Sequence, residues 1–163
     1  MAVSAFLKID TVTGESINDK HKDQIDVLSW SWGLSNAGTG QLGQGSGGGK
    51  VNVQDMSFSK YTDKATPRLV SCCCTGTHLD KATLFLEKSG EANNFLQYLQ
   101  IDFEQVVISS YQTGGAADGS DRVIESISFN FKKFTMTYTP QDAKGKEGTK
   151  IPVSYDIGTN KSA

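Results

Sequence analysis

The sequence predicts a mainly β fold: a curved antiparallel barrel or sandwich of two sheets, with about eight strands and one short flanking helix. Most apolar residues recur at every second position, which is the period of a strand with one buried face. The longest alternating runs each contain a slip of one residue, and such a slip indicates a β-bulge that curls the sheet. Helix start and stop signals occur together in one stretch. The length of 163 residues suits a single domain over residues 1–163.

The stretch Ile25–Gly33 contains both tryptophans of the chain, Trp30 and Trp32, two residues apart. In an extended strand they lie on one face, where each indole buries roughly 150–250 Å2. Ser29 and Ser31 fall on the opposite face, which is too small and polar to need burial in an apolar core. The predicted apolar stripe consists of Leu28, Trp30, Trp32 and Leu34.

Seven further alternating runs predict strands, and the segments between them predict loops. The strands are residues 1–10, Lys50–Tyr61, Ala82–Glu87, Phe95–Phe103, Gln105–Tyr111, Arg122–Tyr138 and Ile151–Ile157. The longer surface loops are Thr11–Lys22, Gln112–Asp121 and Pro140–Thr149. The slips of alternation fall near Val27–Leu28, Gln54–Asp55 and Lys132–Lys133. The expected core anchors are Trp30, Trp32, Phe58, Phe129 and Phe131.

Residues 66–76 are the predicted helix. Thr66 is expected to cap its first turn, Pro67 suits the first helical position, and Gly76 suits the left-handed residue that ends a helix. The three consecutive cysteines, Cys72–Cys74, fit neither a disulfide framework nor the ligand spacing of a metal site. They are interpreted as small apolar side chains, with no role assigned. The predicted apolar side of the helix consists of Leu69, Val70, Cys73 and Cys74.

The segment Asn36–Gly49 contains seven glycines in fourteen residues, a composition that is costly to order. It is either a floppy hairpin loop or an arm that becomes ordered against a neighbouring subunit. The arm candidates are Gly38, Gly40, Gln41, Leu42, Gly43, Gln44 and Gly45. The spacing of Gly38–Gly43 also matches a dinucleotide-binding turn, but no helix follows to receive a pyrophosphate, so no cofactor is predicted.

The remaining composition argues against catalysis, nucleic-acid binding and membrane insertion. The formal net charge of −2 provides no basic field for nucleic acid. No apolar run approaches the roughly 18–20 residues that span a bilayer. His21 and His78 share no ligand spacing and are expected at the surface, so neither a metal site nor an active site is predicted. The first ten residues lack the segments of a secretory leader, which predicts synthesis in the cytoplasm.

Several motifs carry a resemblance that covers nearly the whole chain. In order they are Ala2-Val3, Phe6-Leu7-Lys8-Ile9, Gly14-Glu15-Ser16, Ile25–Gly33, the glycine-rich arm, Gly49–Tyr61, Lys64-Ala65-Thr66-Pro67, Thr113-Gly114-Gly115 and Phe129-Asn130-Phe131. In this order and spacing they resemble the haemolysin-coregulated protein (Hcp) family. The resemblance implies the inner tube of a bacterial type VI secretion system, and a fold similar to that of phage tail-tube proteins.

What the resemblance further implies is a structural protein with no enzymatic activity. Copies would form hexameric rings that stack into a tube inside a contractile sheath, which expels the tube from the cell. The implied partners are other copies of the chain, the spike tip protein, the sheath and baseplate proteins, and small effectors that the lumen carries and chaperones. Ser31, with Ser29 beside it, is the lumen candidate, because a small polar stripe suits a wet wall.

Three alternatives remain open from the sequence. The same tube could belong to a phage-like contractile particle. A monomeric β-sandwich binding module, such as a lectin, would instead show an aromatic-lined groove. A hydrolase is the weakest alternative, because the sequence lacks a credible catalytic constellation.

Overall fold

The structure is a computed structural model that describes residues 3–38, 49–89, 94–117, 119 and 121–163. Twelve strands and one helix occur in this part of the chain. They are β1 (Val3–Ile9), β2 (Ile25–Val27), β3 (Ser29–Ser31), β4 (Leu34–Asn36), β5 (Val51–Val53), β6 (Met56–Tyr61), α1 (Ala65–Thr75), β7 (His78–Ser89), β8 (Phe95–Gly114), β9 (Ile124–Asn130), β10 (Lys133–Tyr138), β11 (Ile151–Asp156) and β12 (Lys161–Ser162). All the strand pairings are antiparallel, so the predicted fold class is confirmed.

The long strand β8 joins the two halves of a barrel. Its first half pairs with β7 and β10, and its second half pairs with β9. Gln105 divides the halves with a φ of 56°, a left-handed conformation that turns the strand. From β9 the pairing continues through β6 to β3. The chain itself then joins β3 to β2, and pairing resumes through β1 and β7 back to β8. The predicted break near Glu104 is therefore a bend within one strand.

The chain changes partner at Leu28, between β2 and β3. Before this residue β2 pairs with β1, and after it β3 pairs with β6. The Leu28 amide donates to Ser59 O at 2.8 Å, which keeps the two segments in one continuous wall. The predicted slip at Val27–Leu28 is thus the corner of the barrel.

The barrel interior contains a cluster of aromatic side chains among more numerous aliphatic ones. Trp32 packs against Phe103, Phe131 and Phe134, with ring centroids 5.8, 6.0 and 4.7 Å away. Among the expected core anchors, Phe58, Phe129 and Phe131 are buried, whereas Trp30 and Trp32 are half-buried and pack against the buried cluster.

The predicted apolar stripe around the tryptophans is wrong at both ends. Leu28 is 46 % exposed and Leu34 is 50 % exposed. Leu28 lies at the corner where the strand changes partner. Leu34 lies beyond the large sheet, in a separate ribbon of two strands formed by β4 and β5. A single alternating strand through Ile25–Gly33 therefore does not exist.

Several predicted strand boundaries are also corrected. The runs Lys50–Tyr61 and Arg122–Tyr138 each divide at the predicted slip, whereas β8 fuses two predicted strands and continues to Gly114 through part of the predicted Gln112–Asp121 loop. Sequence alternation does not reveal β4 or β12, because each has only two or three residues. Together with the division of the tryptophan strand into β2 and β3, these differences turn eight expected strands into twelve.

The helix begins one residue earlier than predicted. Asp63 Oδ1, and not Thr66, accepts from the Ala65 amide at 2.9 Å, while the Thr66 hydroxyl accepts from the Asp63 amide at 3.1 Å. Pro67 is therefore the third helical residue. Gly76 ends the helix with a φ of 64°, as predicted. The buried residues are Ala65, Leu69 and Cys72, and the half-buried Cys73 also packs against the core, so Val70 and Cys74 were assigned wrongly to the apolar side; Cys74 is exposed.

The outer edge of the sheet at β11 is mostly uncovered. β12 pairs only with Tyr155 and Asp156, which leaves Ile151–Ser154 beside solvent except for a bond from the Ala163 amide to Ser154 O at 3.3 Å. Pro152 lies within this exposed part and has no N–H group to offer a further strand.

A buried ion pair connects β6, β9 and α1. Lys60 and Glu125 face each other across the β6–β9 pairing, with Nζ 2.7 Å from Oε2 and both side chains fully buried. Lys60 Nζ also contacts Asp63 Oδ1 at 2.7 Å and donates to Thr66 Oγ1 at 3.0 Å. The Thr66 hydroxyl completes the network by donating to Glu125 Oε2 at 2.9 Å. The start of the helix is thereby attached to two barrel strands.

Replacing Lys60 should strongly destabilise the fold. We expect Lys60→Met to lower the free energy of unfolding by about 3–5 kcal/mol, because it leaves a buried carboxylate without its cation. Chemical denaturation measures the change. The exposed neighbour provides the matched control, and Lys64→Met should change stability by less than about 0.5 kcal/mol. Equal small effects of both substitutions would contradict a structural role for the ion pair.

Candidate functional site

The most distinctive surface is a sheet face covered with serines. Three strands each contain a serine, an inward-facing apolar residue and a second serine, and the pairing aligns the three triplets. The serines therefore point to the same side, opposite the row formed by Trp30, Phe58 and Ile127. We call this surface the serine face. It consists of Ser29, Ser31, Ser57, Ser59, Ser126 and Ser128, with Ser109 and Ser110 of β8 at its border.

Some hydroxyl groups of the serine face bond to one another. Ser29 Oγ lies 2.6 Å from Ser59 Oγ, and Ser128 Oγ lies 2.8 Å from Ser109 Oγ and 2.5 Å from Ser110 Oγ. Within the described residues Ser31, Ser57 and Ser126 form no side-chain hydrogen bond, so their hydroxyls stay available to solvent. The surface is thus small, polar and uncharged along its middle rows.

One end of the serine face carries a carboxylate. Asp55 accepts from Ser109 Oγ at 2.7 Å and from Asn130 Nδ2 at 2.9 Å. The same end continues into the ribbon, which we define as β4 and β5, because Gly33 and Gln54 connect it to β3 and β6 with a backbone bond of 2.9 Å. The ribbon therefore projects beyond the Asp55 end.

The ribbon is also the described base of the glycine-rich arm. Asn36 Nδ2 donates to Gly49 O at 2.7 Å across the top of the ribbon. Gly38 is exposed, and a side chain there would meet open space. The other arm candidates, Gly40, Gln41, Leu42, Gly43, Gln44 and Gly45, lie outside the described residues.

The opposite end of the serine face opens into a cleft of about 760 Å3. Its apolar part includes Tyr61 and Val123, which are 36 % and 44 % exposed. The Arg122 guanidinium lies 4.8 Å from the centre of the Tyr61 ring. We call this the Tyr61 cleft. Its lining consists of Glu15, Asp26, Tyr61, Thr62, Asp63, Thr66, Tyr111, Thr113, Asp121, Arg122, Val123 and Glu125.

Two groups of the Tyr61 cleft, the buried Glu125 and the half-buried Tyr111, have shifted pKa values. Burial alone would raise the pKa of Glu125, but hydrogen bonds from Lys60, Tyr111 and Thr66 outweigh it and lower that pKa below its ordinary value. Tyr111 donates to Glu125 Oε1 at 2.7 Å. Burial and this carboxylate raise the pKa of Tyr111 above its ordinary value. The arrangement keeps Glu125 ionised and Tyr111 protonated, which is a structural use of both groups.

The two histidines have different environments. His78 is exposed, whereas the surface prediction is wrong for His21, which is 4 % exposed. Its ring stacks on Phe6 at 4.3 Å, and Nε2 lies 2.6 Å from Glu87 Oε1. The loop that carries His21 covers the outer face of β1 and β7, and its polar sequence gave no sign of this packing.

The described residues contain no group of three or more His, Cys, Asp or Glu side chains positioned to hold a metal ion. The part of the chain that the structure describes contains one helix, α1, which is too short and polar to cross a membrane.

Comparison with known proteins decides the family. The sequence model described as "Type VI secretion system effector, Hcp" matches residues 6–138. The chain belongs to the Hcp family. It is 44 % identical over 164 residues to protein hcp1 of Pseudomonas aeruginosa, with 100 % of both chains covered. Hcp is a structural protein of the type VI secretion system and is secreted by it.

Solved Hcp structures have the same fold. A type six secretion system protein with 36 % identity superposes with a TM-score of 0.92, covering 99 % of this chain and 100 % of the other. Hcp1 from Salmonella typhimurium has 34 % identity and a TM-score of 0.83, with 100 % of both chains covered. These likenesses support the barrel architecture over the full length of this Hcp chain.

Sequence reasoning found two residues of the serine face and missed the others. The signal was available, because Ser57-Phe58-Ser59 and Ser126-Ile127-Ser128 repeat the pattern of Ser29-Trp30-Ser31. The Tyr61 cleft was also missed. Its residues come from separate segments, and no local spacing brings them together.

The stability of this Hcp should fall in both acid and strong alkali. The lowered pKa of Glu125 contributes stability above its unfolded value of about 4.5, and this is lost as the pH falls through the folded pKa. The raised pKa of Tyr111 contributes stability below about 10, and this is lost as the pH rises through the folded value. Denaturant midpoints measured from pH 2 to 11 test this. Tyr111→Phe should flatten the alkaline limb, whereas Tyr138→Phe, an exposed control, should not.

Proposed function

We propose that this Hcp assembles into hexameric rings with the serine face lining the lumen, and that the rings stack into the tube expelled by the contractile sheath. The observation that carries the proposal is a four-stranded sheet with two free edges. In the described residues β3 pairs only with β6, and β8 beyond Val107 pairs only with β9. Both outer edges thus present unpaired backbone groups.

Strand direction makes these two edges complementary. The order β3, β6, β9 and β8 is antiparallel throughout, so β8 runs opposite to β3. A neighbouring copy can place its β3 beside β8 in antiparallel pairing while keeping its serine face on the same side. Because the contact joins two different edges, repetition generates a ring if the rotation closes. This supports a wall that is continuous around the lumen.

The serine face suits the carriage of small effectors. Its middle rows carry small hydroxyl side chains and no charge, so it neither attracts ions strongly nor exposes a large apolar patch. Further proposed partners are the spike tip protein at the end of the tube and the sheath and baseplate proteins around it. Ser29 and Ser31 lie exposed on this face, as a lumen contact requires.

The ring is tested directly by native mass spectrometry. We expect six copies per particle over a range of protein concentrations, and a central hole in negative-stain electron micrographs. A monomer at every concentration would exclude the proposed assembly.

A bulky charge on the serine face should block carriage without opening the ring. We expect Ser31→Arg to keep the hexamer and lower effector export several-fold, because its side chains occupy the lumen. Quantitative mass spectrometry of secreted proteins measures export, with secretion of Hcp itself as the internal standard. Ser31→Thr keeps a small hydroxyl and serves as the control. Unchanged export in the Ser31→Arg variant would remove Ser31 from the lumen.

The arm should serve stacking more than ring closure. Deletion of Gly38–Gly48 joins Ala37 directly to Gly49. Asn36 Nδ2 already donates to Gly49 O, so the two ends of the deletion lie close together and the ribbon should survive. We expect hexamers to persist while the yield of stacked tubes falls. Analytical ultracentrifugation separates the two species. Equal loss of hexamers and tubes would place the arm within the ring.

A further inference from the structure

The ribbon and the Tyr61 cleft lie at opposite ends of the same sheet. β6 begins beside Gln54 at the base of the ribbon and ends at Tyr61 in the cleft. β9 runs the other way, from Ile124 beside the cleft to Asn130 beside Asp55. When rings stack in one direction, the ribbon end of each ring therefore meets the cleft end of the next.

The exposed charge on the ribbon is basic, whereas the exposed carboxylates of the cleft outnumber its one exposed cation, Arg122. Asp55, at the base of the ribbon, already accepts hydrogen bonds from Ser109 and Asn130. Lys50 is the only charged residue in the segment Leu34–Val53, and it is exposed just beyond the last ribbon pair. Glu15, Asp26 and Asp121 are exposed at the cleft and form no ion pair among the described residues. The other two carboxylates of the lining, Asp63 and Glu125, are already paired with Lys60.

The two ends also match in apolar surface and reach. Leu34 on the ribbon is 50 % exposed, and Val123 in the cleft is 44 % exposed, although both are large apolar side chains. Three extended residues carry the ribbon roughly 10 Å past the end of the sheet. Lys50 therefore lies beyond the end of its own large sheet, on the side where the next ring would stack.

We propose that the Tyr61 cleft receives the ribbon of a second copy of this chain in the next ring, with Lys50 of that copy beside Glu15 and Asp26. The inference rests on the proposed ring and deepens it by assigning the receptor of the stacking contact. Each ring boundary then repeats this contact once per subunit. This contact makes the tube polar, because the ribbon end of one ring always meets the cleft end of the next ring.

Charge reversal on each side tests the contact. Lys50→Glu rings carry acidic ribbons and acidic clefts, and Glu15→Lys/Asp26→Lys rings carry basic ribbons and basic clefts. Each variant should remain hexameric by native mass spectrometry, while its pelleted tube fraction falls at least about tenfold. Preformed rings of the two variants should stack with each other when mixed, since every ribbon then meets a cleft of opposite charge. The triple variant should stack by itself.

Matched controls and a chemical cross-link complete the experiment. Lys8→Glu and Asp80→Lys reverse exposed charges away from the cleft lining and the ribbon, and should leave the tube fraction unchanged. A carbodiimide should link Lys50 of one wild-type ring to Glu15 or Asp26 of another, which isotope-labelled rings reveal as an intermolecular product.

The outcomes separate this inference from the proposed function. If the wild-type chain never forms hexamers, the proposed function fails. If hexamers form but reversal at Lys50 leaves stacking unchanged, or no link from Lys50 to the cleft appears at high hexamer concentration, the ring stands and the receptor assignment is overturned. Failure of the mixed rings to stack, when each variant alone has lost stacking, also overturns it.

Discussion

The cross-strand ion pair of Lys60 and Glu125 fixes the register on which the serine face depends. The two residues pair directly between β6 and β9, and both point inward. A slip of one residue would turn the charges outward and the serines inward, because side chains alternate along a strand. Removing two charges from water is costly, and the surrounding bonds from Thr62, Thr66 and Tyr111 offset that cost only in the native pairing. The network thus specifies one arrangement of the wall and also attaches the helix.

Long alternation was enough to predict the fold class from the sequence. Buried residues such as Phe129 and Phe131 belong to runs with a clear period of two, and the slips in those runs marked real corners of the barrel. The predicted strand boundaries were wrong where the same local sequence pattern is compatible with two backbone conformations. The break of alternation at Glu104 and Gln105 fits either a loop between two strands or a left-handed residue inside one strand. Pairing with the neighbouring strands favours the single strand.

The candidate site was predictable in part for a related reason. Ser29 and Ser31 stood out because two tryptophans marked their strand, whereas the equivalent serines of β6 and β9 lacked so conspicuous a neighbour. Alignment of the three triplets depends on long-range register, which local spacing does not contain. His21 is a similar case. Its polar loop folds over Phe6 and Phe85, and only tertiary packing buries it.

Pro152 makes the β11 edge of the sheet a poorer partner for a further strand than the other edges are. A sheet with several open edges can pair with extended peptides at each of them, and such pairing can start amyloid-like growth. Pro152 lacks a backbone N–H donor, and β12 covers two further residues of β11. Together they hinder the pairing of another strand with this edge. The borders of β3 and β8, by contrast, keep their backbone donors and acceptors. An edge that disfavours strand addition lowers the tendency to form fibres, while the remaining edges can still pair with other copies of the chain.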